Sequence, residues 1–544
     1  MMLLWPGTCL ANAGPTELAA SLQVRLASAY EDYRHQRYES ARGHLQGLVH
    51  PKVAHLLGMI SRKQGRLVEA QRHLEWAVKK STPDAEITLS LGQLYRELKE
   101  GVRAQDCYRQ VLKISKDQAI QNKARTALAE LLIERSQAEE ALSLVGEMAP
   151  GSAATLHLRG KACLELGELG EARNALSDAF AMDPSDKILQ SYAQVLWLDN
   201  DIQAFDNLVA NASKQPGLGA AAVGIARSSC RFDWAWEIGL GVAAEKENAA
   251  SFRTVMATLA VDRQDADSAI ALAGDVVRAN PLFGPAVAPL IAGQLMQGST
   301  DKAEILIQRM REAEPLGQHW IGYELVAARQ LGREVSAMTS ELVGVYELPV
   351  PEGFASLPAF NQAFADKLSQ LHQSKQQPLG QSLRGGTQTG RNLATLDDAL
   401  VQSYMKALRI PVAQHLEKIG TAASNPCSAR NTGEFVIDDC WSVTLGGSGF
   451  HESHVHPEGW LSSAYYVSVP ESVAMDSTTA VPDRSGWLKF GVPPLALPVQ
   501  QEVLKWVEPQ PGLLALFPSY LWHSTEPVAD GGLRVTAPFD VLPL

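Results

Sequence analysis

Cysteine is scarce in this 544-residue chain: six occur, at positions 9, 107, 163, 230, 427 and 440, and no two form a CxxC pair. That spacing excludes the usual zinc knuckles and disulfide frameworks and fits a reducing compartment. No run of ~18 apolar residues is present, so no membrane-spanning helix is expected. Positive charge is also short. Lys and Arg number 48 against 60 Asp and Glu, which leaves a net charge of −12. Without a basic stretch the chain lacks the electrostatic footprint of a nucleic-acid binder. The start, Met1 to Ala13, is briefly apolar and ends in Ala11-Asn12-Ala13, but no Lys or Arg precedes the apolar residues. The n-region of a secretory signal is therefore missing, and a cytoplasmic protein is expected.

What is present is ordinary for a folded protein, with 46% hydrophobic and 20% charged residues. At ~150 residues per domain the length allows three or four domain-sized units. The clearest internal feature is a repeat. In a 34-residue window opening at Pro51, Leu57-Gly58 fall at positions 7 and 8, Ala70 at 20, Leu74 at 24 and Ala77 at 27. The next window, from Ala85, places Leu91-Gly92, Ala104 and Tyr108 at the same positions as Leu57-Gly58, Ala70 and Leu74, and adds Tyr95 at 11. Two periods later, from Ala153, the register returns with Gly160, Ala172, Leu176, Ala179 and Pro184. Small residues at fixed positions allow two helices to cross closely, and the large apolar ones fill the gap. This pattern resembles the tetratricopeptide repeat. Windows between and after these are weaker, although Asp267 to Leu272 and Lys302 to Leu306 still read as second helices of repeats. An all-α solenoid is expected over residues 16–345, with a concave groove suited to a protein or peptide partner, or a surface for dimerisation. His55, His73 and His157 lie at helical spacing among apolar residues and read as structural.

The pattern changes at Leu348-Pro349-Val350-Pro351-Glu352-Gly353, where two prolines and a glycine break the helical period. We take 346–375 as a boundary segment carrying a short helix from Ala359 to His372. Arg384-Gly385-Gly386-Thr387 lacks the Lys and trailing helix of a P-loop, so nucleotide binding is rejected and a loop is expected there. A helix from Leu396 to Ile419 should break or kink at Pro411. From Glu434 onward, short β-branched and aromatic runs alternate with turn residues, and five of the eleven tryptophans fall between 441 and 522. That spacing argues for a sandwich or jelly roll enclosing a lined cavity.

Three histidines crowd into Phe450-His451-Glu452-Ser453-His454-Val455-His456-Pro457. On a strand, positions i and i+2 share a face, so His454 and His456 point together and His451 points away. With a third imidazole from a distant strand, His523, they could hold a first-row divalent metal and leave positions open. Arg534 and Thr536 again share one strand face. A guanidinium beside a hydroxyl makes an end-clamp for a carboxylate. Trp460, Trp487 and Trp522 are candidates for lining the substrate side.

Read in order, Gly446-Gly447-x-Gly449-Phe450-His451-x-x-His454-x-His456-Pro457, then Trp460-Leu461-Ser462-x-x-Tyr465-Tyr466-Val467, then Phe517-Pro518-Ser519-x-Leu521-x-His523 and Arg534-x-Thr536 resemble the iron(II)/2-oxoglutarate-dependent oxygenases, in particular those found behind tetratricopeptide repeats. The resemblance covers about residues 376–544. It implies a double-stranded β-helix, a jelly-roll variant, with flanking helices. It also implies Fe(II), 2-oxoglutarate and O2 as cofactor and co-substrates, and hydroxylation of a C–H bond. Fe(II) would be held by His454, His456 and His523, and the distal carboxylate of 2-oxoglutarate by Arg534, Thr536 and Tyr466. His456 stands where the superfamily usually places Asp or Glu. Two alternatives therefore stand beside the hydroxylase: a three-histidine dioxygenase that does not use 2-oxoglutarate, and a non-catalytic repeat scaffold with a metal-binding β domain.

Overall fold

The computed structural model describes residues 15–148, 151–242, 249–333, 340–470, 484–528 and 532–544. The chain divides into two compact units, Met1–Ala162 and Cys163–Leu544.

The first unit is a tetratricopeptide-like helical solenoid, built from consecutive helices such as Pro51–Lys63 with Leu67–Lys80, and Ala85–Glu97 with Gly101–Ile114. The repeat's small-residue position is a true close approach. A Cβ on Gly58 would stand 2.6 Å from Cγ of Leu74, and one on Gly92 would stand 2.7 Å from Cε1 of Tyr108. Ion pairs join successive repeats at about the same period: Arg62 to Glu97 at 2.9 Å and Arg96 to Glu130 at 2.6 Å. His55 is a core histidine, its Nε2 2.8 Å from Ser90 Oγ, and burial pushes its pKa down to about 4.

The second unit holds further helices and the β-rich region. Four helices matter for the site: Gly219–Ser228, Ala250–Asp262, Gly284–Met296 and Gln318–Gln330. Their partners include Ala266–Ala279 and Thr300–Ala313, on the two segments that read as weak repeats. Gly293 lets one pair close, since a Cβ there would meet Ile270 Cγ1 at 2.9 Å.

Eleven strands follow among the described residues: β1 (Gly344–Glu347), β2 (Leu383–Gln388), β3 (Phe435–Cys440), β4 (Val443–His451), β5 (Leu461–Ser468), β6 (Leu488–Phe490), β7 (Lys505–Val507), β8 (Leu513–Pro518), β9 (His523–Thr525), β10 (Arg534–Thr536) and β11 (Phe539–Pro543). The larger sheet runs β1-β8-β5-β10-β4-β2, with β11 joining β3 to β5, and the smaller runs β7-β6-β9. All pairings are antiparallel, consistent with a jelly roll.

Two expectations about local structure change. The segment around Gly385-Gly386 is strand β2 rather than a loop, with a bulge between Arg384 and Gly386. The glycines are required because β2 lies hard against β4: a Cβ on Gly386 would come within 2.2 Å of the Thr444 carbonyl oxygen. The helix Ala399–Ile419 runs through Pro411 without a break. Leu408, Val412 and Leu416 bury its flanks, and that packing outweighs the one hydrogen bond proline cannot make. The short helix expected within 346–375 is present as Leu357–Leu371, following β1, which pairs with β8. Phe364 of that helix packs 4.8 Å from Tyr404, ring centroid to ring centroid, and the Tyr465 hydroxyl donates to Asn361 Oδ1 at 2.6 Å.

Within this second unit the helices and strands are joined by specific bonds. Trp197 Nε1 donates to the Gln377 carbonyl at 2.8 Å and Gln501 Nε2 to that of Val326 at 2.8 Å, while the Ala496 amide donates to Gln264 Oε1 at 2.6 Å. Among the described residues no helix is long and apolar enough to cross a membrane.

Candidate metal centre

Two backbone ladders bring the distant histidines together. The amide of His454 donates to the His523 carbonyl at 3.1 Å, and that of His523 returns to His454 at 3.0 Å. Two residues on, the His456 amide donates to the Ser519 carbonyl at 2.9 Å. Val455, between them, packs in a cluster with Tyr323 and Trp522. One potential ligand atom from each of His454, His456 and His523 lies within 4.8 Å of the others.

The hydrogen bonds behind the rings decide which nitrogen faces the centre. His454 Nδ1 is 2.8 Å from the Glu452 carbonyl oxygen, and His523 Nδ1 is 2.9 Å from that of Leu521. His456 Nδ1 lies 2.9 Å from both carboxylate oxygens of Asp540. A carbonyl or carboxylate oxygen only accepts, so each Nδ1 carries a proton, and in the neutral ring Nε2 is then the nitrogen with the lone pair. His454 Nε2 and His456 Nε2 stand 3.2 Å apart. Two lone pairs so placed repel unless a cation lies between them, and ~3.0 Å is the separation of two cis nitrogen ligands at ~2.1 Å from a metal. Burial, with His456 adding a like charge, pushes His454 down to about 3; burial also holds His523 well below its ordinary value. Neutral imidazole is the state a metal needs. The three residues thus fit a first-row divalent ion.

Arg534, at the start of β10, is 2% exposed. Its Nη1 donates to the Gly486 carbonyl at 2.6 Å and its Nη2 to Thr525 Oγ1 at 3.3 Å, while Nε has no partner. Among the described residues no carboxylate pairs with it. Tyr466 is also buried, its hydroxyl unpartnered, and burial pushes that hydroxyl up to about 12. A buried cation without a counter-charge, beside an unused hydroxyl, is a cradle that a carboxylate would complete. Thr536 opposes Tyr466 in the β10–β5 register and lines the same cavity. Tyr465 points to the opposite side, into the core.

All six predicted site residues open on one cavity of about 1560 Å³. Its far wall is helical: Thr254 and Thr258 from one helix, Ala288 and Pro289 from another, and His319 and Tyr323 from a third. Of the three candidate tryptophans, Trp522 lines it, whereas Trp460 is a core residue whose Nε1 donates to the Cys427 carbonyl at 2.9 Å, and Trp487 stays outside the lining. His451 does not point away as strand alternation suggests. The chain leaves regular pairing at Glu452-Ser453, and His451 lines the cavity with its ring 6.1 Å from that of His454 and its Nδ1 3.0 Å from Ser382 Oγ. Asp540, Ser382 and Thr525 are functional neighbours that sequence spacing does not reveal, because only strand register delivers them to the site.

Comparison with known proteins agrees with this layout. Residues 19–197 match the tetratricopeptide repeat-like domain, and residues 439–540 match the family described as "Putative 2OG-Fe(II) oxygenase". No curated protein matches the chain. Similar solved structures are helical-repeat proteins. MamA 41-end from Desulfovibrio magneticus RS-1 is 21% identical, covering 30% of this chain and 92% of its own, with a TM-score of 0.27. A tetratricopeptide repeat protein from Parabacteroides merdae ATCC 43184 is 14% identical, covering 50% and 98%, with a TM-score of 0.35. A thermophilic tetratricopeptide repeat protein from Thermus thermophilus is 18% identical, covering 34% and 99%, with a TM-score of 0.28.

Proposed function

We propose that this protein is an Fe(II)- and 2-oxoglutarate-dependent oxygenase that hydroxylates a C–H bond of a protein or peptide substrate, working in the cytoplasm, with residues 16–345 as the repeat array and 376–544 as the catalytic domain. The observation that carries the proposal is the pairing, in one cavity, of three converging imidazoles with a buried guanidinium that has no counter-charge among the described residues. Iron bound at His454, His456 and His523 supplies oxygen activation coupled to decarboxylation of 2-oxoglutarate to succinate.

The chain's own residues do the rest. The Nδ1 bonds of the three histidines fix ring orientation. Arg534 and Tyr466 receive the distal carboxylate, with Thr536 beside them, so the keto-acid end is directed toward the histidines. Burial of Arg534, Tyr466 and His523 keeps water from that end. A cavity of about 1560 Å³ exceeds the ~300–1,000 Å³ of ordinary small-molecule sites and has a wall of repeat helices, which supports an extended polypeptide as substrate.

His456 in place of a carboxylate favours a second reading, the three-histidine dioxygenase that needs oxygen alone. Succinate release separates the two. Fe(II)-loaded protein supplied with a peptide library should release succinate stoichiometrically with hydroxylated peptide, and Arg534→Ala should abolish it. Peptide oxidation that proceeds without 2-oxoglutarate and survives Arg534→Ala would establish the second reading instead.

A further inference from the structure

The centre brings together three imidazoles and no carboxylate, yet a carboxylate lies immediately behind one of them. Asp540, on β11, reaches His456 because β11 pairs with β5 through Asp540 and Ser462, and its register against β3 shifts between Asp540 and Val541. Both carboxylate oxygens lie 2.9 Å from His456 Nδ1. Gly459 packs against the carboxylate, where a Cβ would stand 3.6 Å from Asp540 Cγ. On the ring's flank Trp441 lies 5.9 Å away, centroid to centroid. The Nδ1 atoms of the other two histidines are held by backbone carbonyls, so His456 alone of the three has a charged anchor.

We infer that Asp540 is a positioning residue for the metal centre: it fixes the His456 tautomer with Nε2 facing the ion and supplies, one imidazole away, the negative charge that an aspartate ligand would have supplied directly. The inference rests on the metal-centre reading given above. An imidazole whose Nδ1–H is held by a carboxylate is a stronger donor to a cation than one held by a neutral oxygen. Removal of such a partner weakens metal binding by ~10–100-fold in comparable sites. A purely structural role, pinning β11 to the segment around His456, makes a different prediction. It affects unfolding of the metal-free protein and leaves metal affinity untouched.

The experiment is anaerobic Co(II) titration of the full chain, followed by ligand-field absorption, with thermal unfolding of each metal-free variant alongside. Wild type, Asp540→Ala, Asp540→Asn, His456→Ala and the double variant His456→Ala/Asp540→Ala form the set. Asp540→Ala should weaken Co(II) binding by ~10–100-fold. Asp540→Asn, which keeps an acceptor oxygen and loses the charge, should fall between it and wild type. Because Asp540 acts through His456, the double variant should bind no more weakly than His456→Ala alone. Unchanged Co(II) affinity in both Asp540 variants overturns the inference while leaving the three-histidine centre standing. So does a double variant whose loss is the sum of the two single losses. If His456→Ala itself binds Co(II) as wild type does, His456 is not a ligand and the inference fails together with that part of the metal-centre reading.

Discussion

A guanidinium that is 2% exposed, with a free Nε and no carboxylate partner among the described residues, is a burden on the folded chain that a bound anion would relieve. The residue-scale consequence has two opposite signs. Arg534→Met should leave the metal-free, co-substrate-free protein as stable as wild type or more so, by up to ~1–4 kcal/mol, because it removes an uncompensated buried charge. The same substitution should weaken 2-oxoglutarate binding by at least about 10–100-fold, the loss expected of charge-assisted hydrogen bonds. Thermal unfolding without ligand and isothermal titration with 2-oxoglutarate check the two halves. A second residue-scale prediction concerns acid. Burial pushes His415 down to about 3 and His55 down to about 4. In the unfolded chain both take up a proton near pH ~6.5, so below that pH the unfolded state binds more protons than the folded one. Stability is therefore full above pH ~6.5 and falls as pH drops toward 4, by on the order of 2 kcal/mol per histidine. Urea unfolding of the metal-free protein at pH 7 and pH 4.5 measures it, and His415→Phe should flatten part of the slope.

At the scale of elements, the repeat's position-8 glycine is set by contact rather than by turn conformation. Gly92→Val would drive its Cβ into Tyr108, 2.7 Å away, and should destabilise the first unit by ~1–3 kcal/mol. Gly43→Val, at a glycine with open space around it, should lack that steric penalty, and calorimetry of the two variants separates overpacking from loss of glycine. These contacts explain why the array was legible in the sequence: a helix crossing that admits no Cβ leaves a fixed residue type at a fixed period. Strands β4, β5 and β8 were legible because each is a run of apolar, β-branched or aromatic residues bounded by turn residues, and successive strand residues face opposite sides, which separates Tyr465 from Tyr466. Other features were not legible. Strand β1, Gly344–Glu347, is too short to show a period, and Gly385-Gly386 reads as a turn when a strand's close approach demands it. The run through Pro411 depends on burial that the sequence does not display. His451 escaped because alternation ends one residue past it. Asp540 escaped because its relation to His456, 84 residues away, exists only through the pairing of β11.

On the scale of the second unit, the repeat helices and the histidine centre face one another across a single cavity of about 1560 Å³. A bulky residue on the helical wall should therefore separate substrate handling from metal and co-substrate binding. Thr258→Trp projects into that space from the helix Ala250–Asp262 and should lower peptide-coupled succinate release at least ~10-fold, while Co(II) and 2-oxoglutarate affinities stay as in wild type. Equal loss of all three would show a general disturbance of the cavity instead. The central claim is more basic: one site holds ferrous iron and 2-oxoglutarate together. The measurement that tests it most directly is the visible spectrum of the Fe(II)-loaded protein under anaerobic conditions on adding 2-oxoglutarate. The account predicts a weak charge-transfer band near ~500–530 nm, formed when an α-keto acid chelates iron at an open site, and its absence in Arg534→Ala and His523→Ala. Iron that binds stoichiometrically without giving this band would contradict it.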